Sequence, residues 1–145
     1  MLELSNALHQ ISTRWNYKLD ELTPGVFRLD VALKLKDGSF RYQFVYIWVE
    51  KSPNGRDKFY MNSRVGMYNQ NLNHYNLLKE SGYCNYTTVT ITTDKTADGT
   101  PCETVIVQAA PYADFTSIEL LNDIIFEVAN NADILEEKFF GGDRN

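Results

Sequence analysis

Side chains able to do chemistry are few and scattered in this sequence. Two cysteines, Cys84 and Cys102, and two histidines, His9 and His74, are the soft or near-neutral titrating groups. There is no Cys-x-x-Cys pair, so a metal site would have to gather histidines and carboxylates from distant positions. If residues 86–93 and 103–110 form a hairpin, both cysteines precede their own strands and lie at opposite ends of the ladder, too far apart to bridge. Two reduced, structural thiols are therefore expected. Phosphate-cradling glycine loops, dinucleotide fingerprints, zinc-protease His-Glu-x-x-His and nucleophile-elbow motifs are all missing. Neither histidine has a nucleophile or metal partner near it in sequence. The most regular chemical pattern is Glu119, Asp123 and Glu127, spaced to line one side of a helix. Carboxylates share out acid and base work only when burial separates their pKa values, and this row lies opposite the apolar seam. It reads as a solvated face and a candidate acidic docking face for a basic partner, as do Asp133, Glu136 and Glu137 further along. No catalytic, cofactor-binding or metal residue is assigned, and a non-enzyme without a cofactor is expected.

The elements that hold these residues fit one domain. A chain of 145 residues with 43% hydrophobic and 23% charged residues has an ordinary globular composition, which excludes disordered and fibrous classes. No apolar run approaches the ~20 residues a membrane helix needs, and the N-terminus lacks the basic-then-apolar pattern of a secretory signal. A cytoplasmic location with no membrane contact is expected. The net charge of −5 argues against nucleic acid as the partner, although Lys34, Lys36 and Arg41 form a small basic cluster. The acidity is concentrated: residues 113–145 carry eight acids against two bases, and residues 1–112 are close to neutral.

Leu4, Ala7, Leu8, Ile11 and Trp15 recur every three or four residues and predict a short first helix. Trp15, Tyr17 and Leu19 then alternate into the Thr23-Pro24-Gly25 turn, as either an edge strand or an extended lead-in. Apolar residues alternate from Phe27 to Leu35 and are followed by Asp37-Gly38, the signature of a two-residue hairpin. That turn would place Leu35 opposite Phe40, Leu33 opposite Tyr42, Val31 opposite Phe44, Leu29 opposite Tyr46 and Phe27 opposite Trp48, all on one face. A third strand over Lys58–Val65, a short helix around 72–79 capped by Gly82, and a hairpin of 86–93 with 103–110 follow. Ile118, Leu121, Ile125, Val128, Ala132, Leu135 and Phe139 predict a long closing helix that starts in a Thr116/Glu119 capping box and ends at Gly141. The fold class is α+β: an antiparallel sheet, built from a three-strand meander plus a hairpin, with N-terminal, middle and long C-terminal helices.

In that register Val45, Ile47 and Val49 fall on the face opposite the aromatic pairs. A strand apolar on both faces is either covered twice or keeps a patch for a partner. Val45, Ile47 and Val49, with Tyr60, are therefore the candidate partner or dimer surface. Tyr68, Tyr83, Tyr86 and Tyr112 are likewise not forced inward, and tyrosine favours interfaces with one wet edge.

The element order, and above all the closing segment from Leu120 to Phe139 with its Ala-Asp-x-Leu-Glu run, resembles the type III secretion chaperone-like fold, in its YbjN-like branch and similar cyanobacterial proteins. That resemblance implies a small acidic homodimer without a cofactor that binds extended segments of partner proteins, as a chaperone-like or adaptor module. The alternative is a small-ligand-binding domain or enzyme with a cleft between the last helix and the sheet.

Overall fold

The computed structural model describes residues 2–82 and 85–141. Cys84 and Tyr83 lie outside the described residues; Cys102 is a free thiol. The elements run α1 (Leu4–Trp15), β1 (Lys18–Thr23), β2 (Val26–Lys34), β3 (Phe40–Lys51), β4 (Asp57–Met67), α2 (His74–Ser81), β5 (Thr88–Lys95), β6 (Pro101–Ala109), a 3₁₀ turn (Ala113–Phe115) and α3 (Ile118–Phe140). The strands form one antiparallel sheet in the order β1-β2-β3-β4-β6-β5. This is the expected α+β arrangement, with Lys18–Thr23 settled as an edge strand.

All three helices pack on one side of the sheet. Leu4, Ala7, Leu8 and Ile11 of α1, Leu77 of α2 and the α3 seam join one core with Leu29, Val31, Met61, Val65, Val105 and Val107. The long helix crosses β2, β3, β4 and β6. Ala129 and Ala132, both without exposed surface, let its axis come close to the strands. Its N-cap is Ser117, whose Oγ accepts from the Leu120 amide at 3.1 Å, one residue later than the expected cap. Thr116 instead donates its hydroxyl to the Tyr112 carbonyl at 2.7 Å. Gly141 ends α3 at φ +73°, as expected, whereas Gly82 keeps a right-handed φ of −67°.

The central hairpin differs from the sequence reading in a way that decides the whole face assignment. The Leu35 amide donates to the Ser39 carbonyl at 2.8 Å and the Gly38 amide to the Leu35 carbonyl at 3.0 Å, with Gly38 at φ +88°. The loop therefore has three residues, Lys36-Asp37-Gly38, with glycine in the left-handed position of a bulge. Phe27 faces Ile47, Leu29 faces Val45, Val31 faces Gln43 and Leu33 faces Arg41. One extra loop residue slips the register by one and turns every β3 side chain to the other face. Gln43, Val45 and Ile47 point at the helices, and Phe40, Tyr42, Phe44, Tyr46 and Trp48 point away.

Two parts of the proposed partner surface are thereby corrected. Val45 and Ile47 have no exposed surface and belong to the core, covered by α3. The acids late in α3 are corrected too. Asp133 and Glu136 are buried rather than solvated. Arg41, turned to the helix side by the slip, donates to Asp133 Oδ2 and Glu137 Oε2, each at 2.6 Å. Both carboxylates hold its guanidinium well above its ordinary pKa, Glu137 most strongly. Gln43 also enters the interior as a satisfied polar group, donating to Ser63 Oγ at 3.1 Å and to the Arg64 carbonyl at 2.9 Å.

Candidate protein-binding face

A strand exposes alternate residues at about 6.6 Å spacing, so five even-numbered aromatics on β3 make a continuous row down the middle of the helix-free face. Phe40, Tyr42 and Phe44 are 51, 59 and 42% exposed. Tyr46 and Trp48 are half-buried. Across the ladder Tyr60 pairs with Trp48, their ring centroids 4.8 Å apart and tilted by 45°. Tyr60 donates its hydroxyl to Gln108 Oε1 at 2.9 Å, which orders the ring while leaving it on the surface. Such a row is larger than the scattered single apolar residues of an ordinary surface.

Charges flank the row in balanced pairs. Arg28 of β2 lies over the Phe44 ring at 4.6 Å and bonds to Asp20 of β1 at 3.0 Å. The hydrogen bond to Asp20 is the main reason its pKa is raised. On the other flank Trp48 Nε1 donates to Glu50 Oε1 at 3.1 Å, and Glu50 lies 4.0 Å from Lys58. Arg64 pairs with Asp94. The Lys95 amide and that arginine hold the Asp94 carboxyl below its usual range. Asp30, opposite Phe44, has its carboxyl pushed up by desolvation, and its Oδ1 has no hydrogen-bond partner among the described residues. The face thus offers rings, hydrogen-bonding edges and both signs of charge.

The remaining candidates disperse. Val49 is 45% exposed on the helix side, at the lip of a groove of about 610 Å³ formed with Leu4, Phe27 and Phe59. Tyr60 alone of the four proposed surface residues sits on the open face. Glu119, Asp123 and Glu127 do line one side of α3, but they are not a bare docking face. Glu119 pairs with Arg14 of α1 at 3.3 Å, and Glu127 accepts the Tyr86 amide at 2.8 Å. His9 Nδ1 lies 2.7 Å from the Ser5 carbonyl, and His74 Nε2 lies 3.1 Å from the Tyr68 hydroxyl. Among the described residues no three His, Cys, Asp or Glu side chains are grouped to hold a metal ion. No helix of these residues is long and apolar enough to cross a membrane.

A two-residue loop places the row Phe40–Trp48 on the same face as Phe27, Leu29, Val31, Leu33 and Leu35, the apolar side of β2. The signal that could have found it is on β2, where Arg28, Asp30 and Lys34 share one face that cannot belong to an apolar interior. Pairing that polar face with β3 in a three-residue-loop register brings the aromatics out beside it. Comparison of the chain with protein-family models, with curated proteins and with solved structures finds no match.

Proposed function

We propose that this protein is a non-enzymatic binding module, of adaptor or chaperone-like type, whose helix-free sheet face docks a segment of a partner polypeptide. The observation that carries this reading is the exposed aromatic row on β3. Tyrosine, tryptophan and arginine are enriched at protein interfaces and dominate their energetics. The balanced flanking charge suits a polypeptide, which brings both signs, better than a nucleic-acid backbone, which needs an uncompensated basic track. A homodimer belongs to the same proposal and is supported by β5, an eight-residue edge strand with no proline or glycine, unpaired on its outer side among the described residues. By contrast β1, the other edge, is short, charged and bulged. Light scattering on a size-exclusion column reads the dimer directly; a strict monomer at high concentration would remove it. The alternative cleft between last helix and sheet finds no support in the packing there. Ile47, Met61, Ile124, Ile125 and Val128 all meet without exposed surface.

The test of the face uses peptides selected from a displayed random library. In a Trp15→Phe background the remaining indole, Trp48, sits in the row and reports binding by fluorescence. Selected peptides should bind the parent and lose at least about tenfold in affinity in Tyr42→Ser/Phe44→Ser, with the circular dichroism unchanged. Peptides that bind the double variant equally well would overturn the assignment, as would a library that yields no binder.

A further inference from the structure

We propose that the groove of about 660 Å³ between the end of α1 and the flank of α3 binds a saccharide. It lies on the helix side of the molecule and is independent of the open face. Its apolar walls are rings: Trp15 and Tyr17 from α1 and the residues after it, Tyr86 from the loop before β5, and Phe126 from α3. Phe126 is 44% exposed, so its ring presents a face to the groove's solvent rather than to the core. Between the rings stand Asn122, Asp123 and Asn130 of α3. Asn122 is 6% exposed, and its Oδ1 has no hydrogen-bond partner among the described residues. That oxygen is closed off from the groove, so the polar groups a ligand meets there are the exposed Asp123 carboxylate and the half-buried Asn130 amide.

The chemistry of the lining selects the ligand class. Among the described residues no lysine or arginine lines the groove, so phosphate, sulfate and carboxylate ligands have no counter-charge. Its described lining has no aliphatic side chain either, which disfavours the fatty or terpenoid classes. Amides give and accept hydrogen bonds at once, and so do hydroxyls, whereas a quaternary ammonium neither donates nor accepts and would leave the amides unmatched. Rings to cover carbon-bound hydrogens, with amides and one unengaged carboxylate to meet hydroxyls, together match a pyranose. Asp123 is that carboxylate. Glu127, the other acid, is already committed to the Tyr86 amide. That bond and the Asn131 Nδ2 to Thr87 Oγ1 bond at 3.1 Å fasten the loop to α3, so the wall is built before any ligand arrives.

The experiment follows the asparagine side-chain amide and Trp15 indole resonances of isotope-labelled protein during titration with a panel of neutral disaccharides. The panel spans gluco, galacto, manno and N-acetylglucosamine units, each raised to about 20 mM, a ceiling set for dissociation constants near 1 mM. Expected are saturable shifts of the Asn122 and Asn130 amides and the Trp15 indole by at least one member. Phe126→Ala and Asn130→Ala, both at exposed or half-exposed positions, should each weaken that titration about fivefold with unchanged thermal midpoints. The inference is overturned if no member shifts these resonances. It is equally overturned if tetramethylammonium shifts them and the saccharides do not, or if the shifts map to Tyr42 and Phe44. Tyr42→Ser/Phe44→Ser should leave the saccharide titration untouched, which separates this site from the peptide face.

Discussion

The three-residue hairpin loop makes a sharp claim: on β3, odd residues are structural and even residues are surface. The cleanest perturbation is the pair Ile47→Ala and Phe44→Ala. Ile47 has no exposed surface and packs between the sheet and α3, so its truncation loses the transfer free energy of its methylenes and leaves a cavity, about 3–4 kcal/mol in all. Phe44 is 42% exposed and buries only part of its ring beneath Arg28, so its loss costs about 1 kcal/mol. The two-residue loop reverses the expectation, because it puts Phe44 in the interior and Ile47 outside. Urea unfolding followed by circular dichroism gives both values as shifts of the midpoint at constant slope. A Phe44→Ala variant that is the more damaged of the two would refute the register, and with it the aromatic face. Equal losses would show that both sides of β3 are covered.

Three further outcomes follow from particular contacts. Arg41→Ala strands the buried Asp133 carboxylate and should cost about 2–4 kcal/mol; adding Asp133→Leu should recover most of it, and additive losses would show the pair to be uncoupled. Gly66 sits where an added Cβ would meet the Phe140 ring at 2.5 Å, so Gly66→Ala should cost about 1–3 kcal/mol by urea unfolding but much less in a Phe140→Ala background; equal costs in both would remove the clash. Asp98, in the β5–β6 turn, is held at about 2 chiefly by the Thr96 and Thr100 hydroxyls. Its folded value is below its unfolded one, so its contribution is present above about pH 4 and fades as pH falls toward 2. The thermal midpoints of the parent and Asp98→Ala should therefore converge between those values, and a gap constant across that range would be inconsistent with the shift.

What the sequence disclosed and what it hid divide along physical lines. The helices were legible because each has one continuous apolar stripe, Leu4 to Ile11 in α1 and Leu121 to Leu135 in α3, and such a stripe needs no knowledge of its partner. The presence of the Asp37-Gly38 turn was legible for a similar local reason. Its loop length was not, since Asp-Gly can be the whole of a two-residue loop or the last two residues of a three-residue one. Ordinarily the hydrophobic pattern of the second strand breaks that tie. Here β3 is apolar on both parities, with Val45 and Ile47 on one and Phe44, Tyr46 and Trp48 on the other, so pattern favoured neither register. The burial of Asp133 was hidden because its partner Arg41 lies 92 residues away and reaches it only in the correct register. The Asn122 groove was hidden for the same reason: α1, the Tyr86 loop and α3 meet only in the folded chain.

The corrected register also changes what the net charge of −5 means for a partner. The acids concentrated toward the C-terminus do not form one outward field. Asp133 and Glu137 neutralise Arg41, Glu119 meets Arg14, Glu127 holds a backbone amide, and Glu136 is inside. On the opposite side of the sheet Arg28, Lys34 and Lys58 alternate with Asp20, Asp30 and Glu50, so the field there is close to balanced. Long-range steering therefore has little to act on there, and the proposed recognition at that face rests on burying rings. Phe40, Tyr42 and Phe44 add little to folding, because over two-fifths of each stays in water, and they raise the hazard of unspecific association. The flanking ion pairs and the wet tyrosine edges limit that hazard without covering the rings. On the proposed reading, rings left open between ion pairs form a surface suited to a partner that covers it and leaves again.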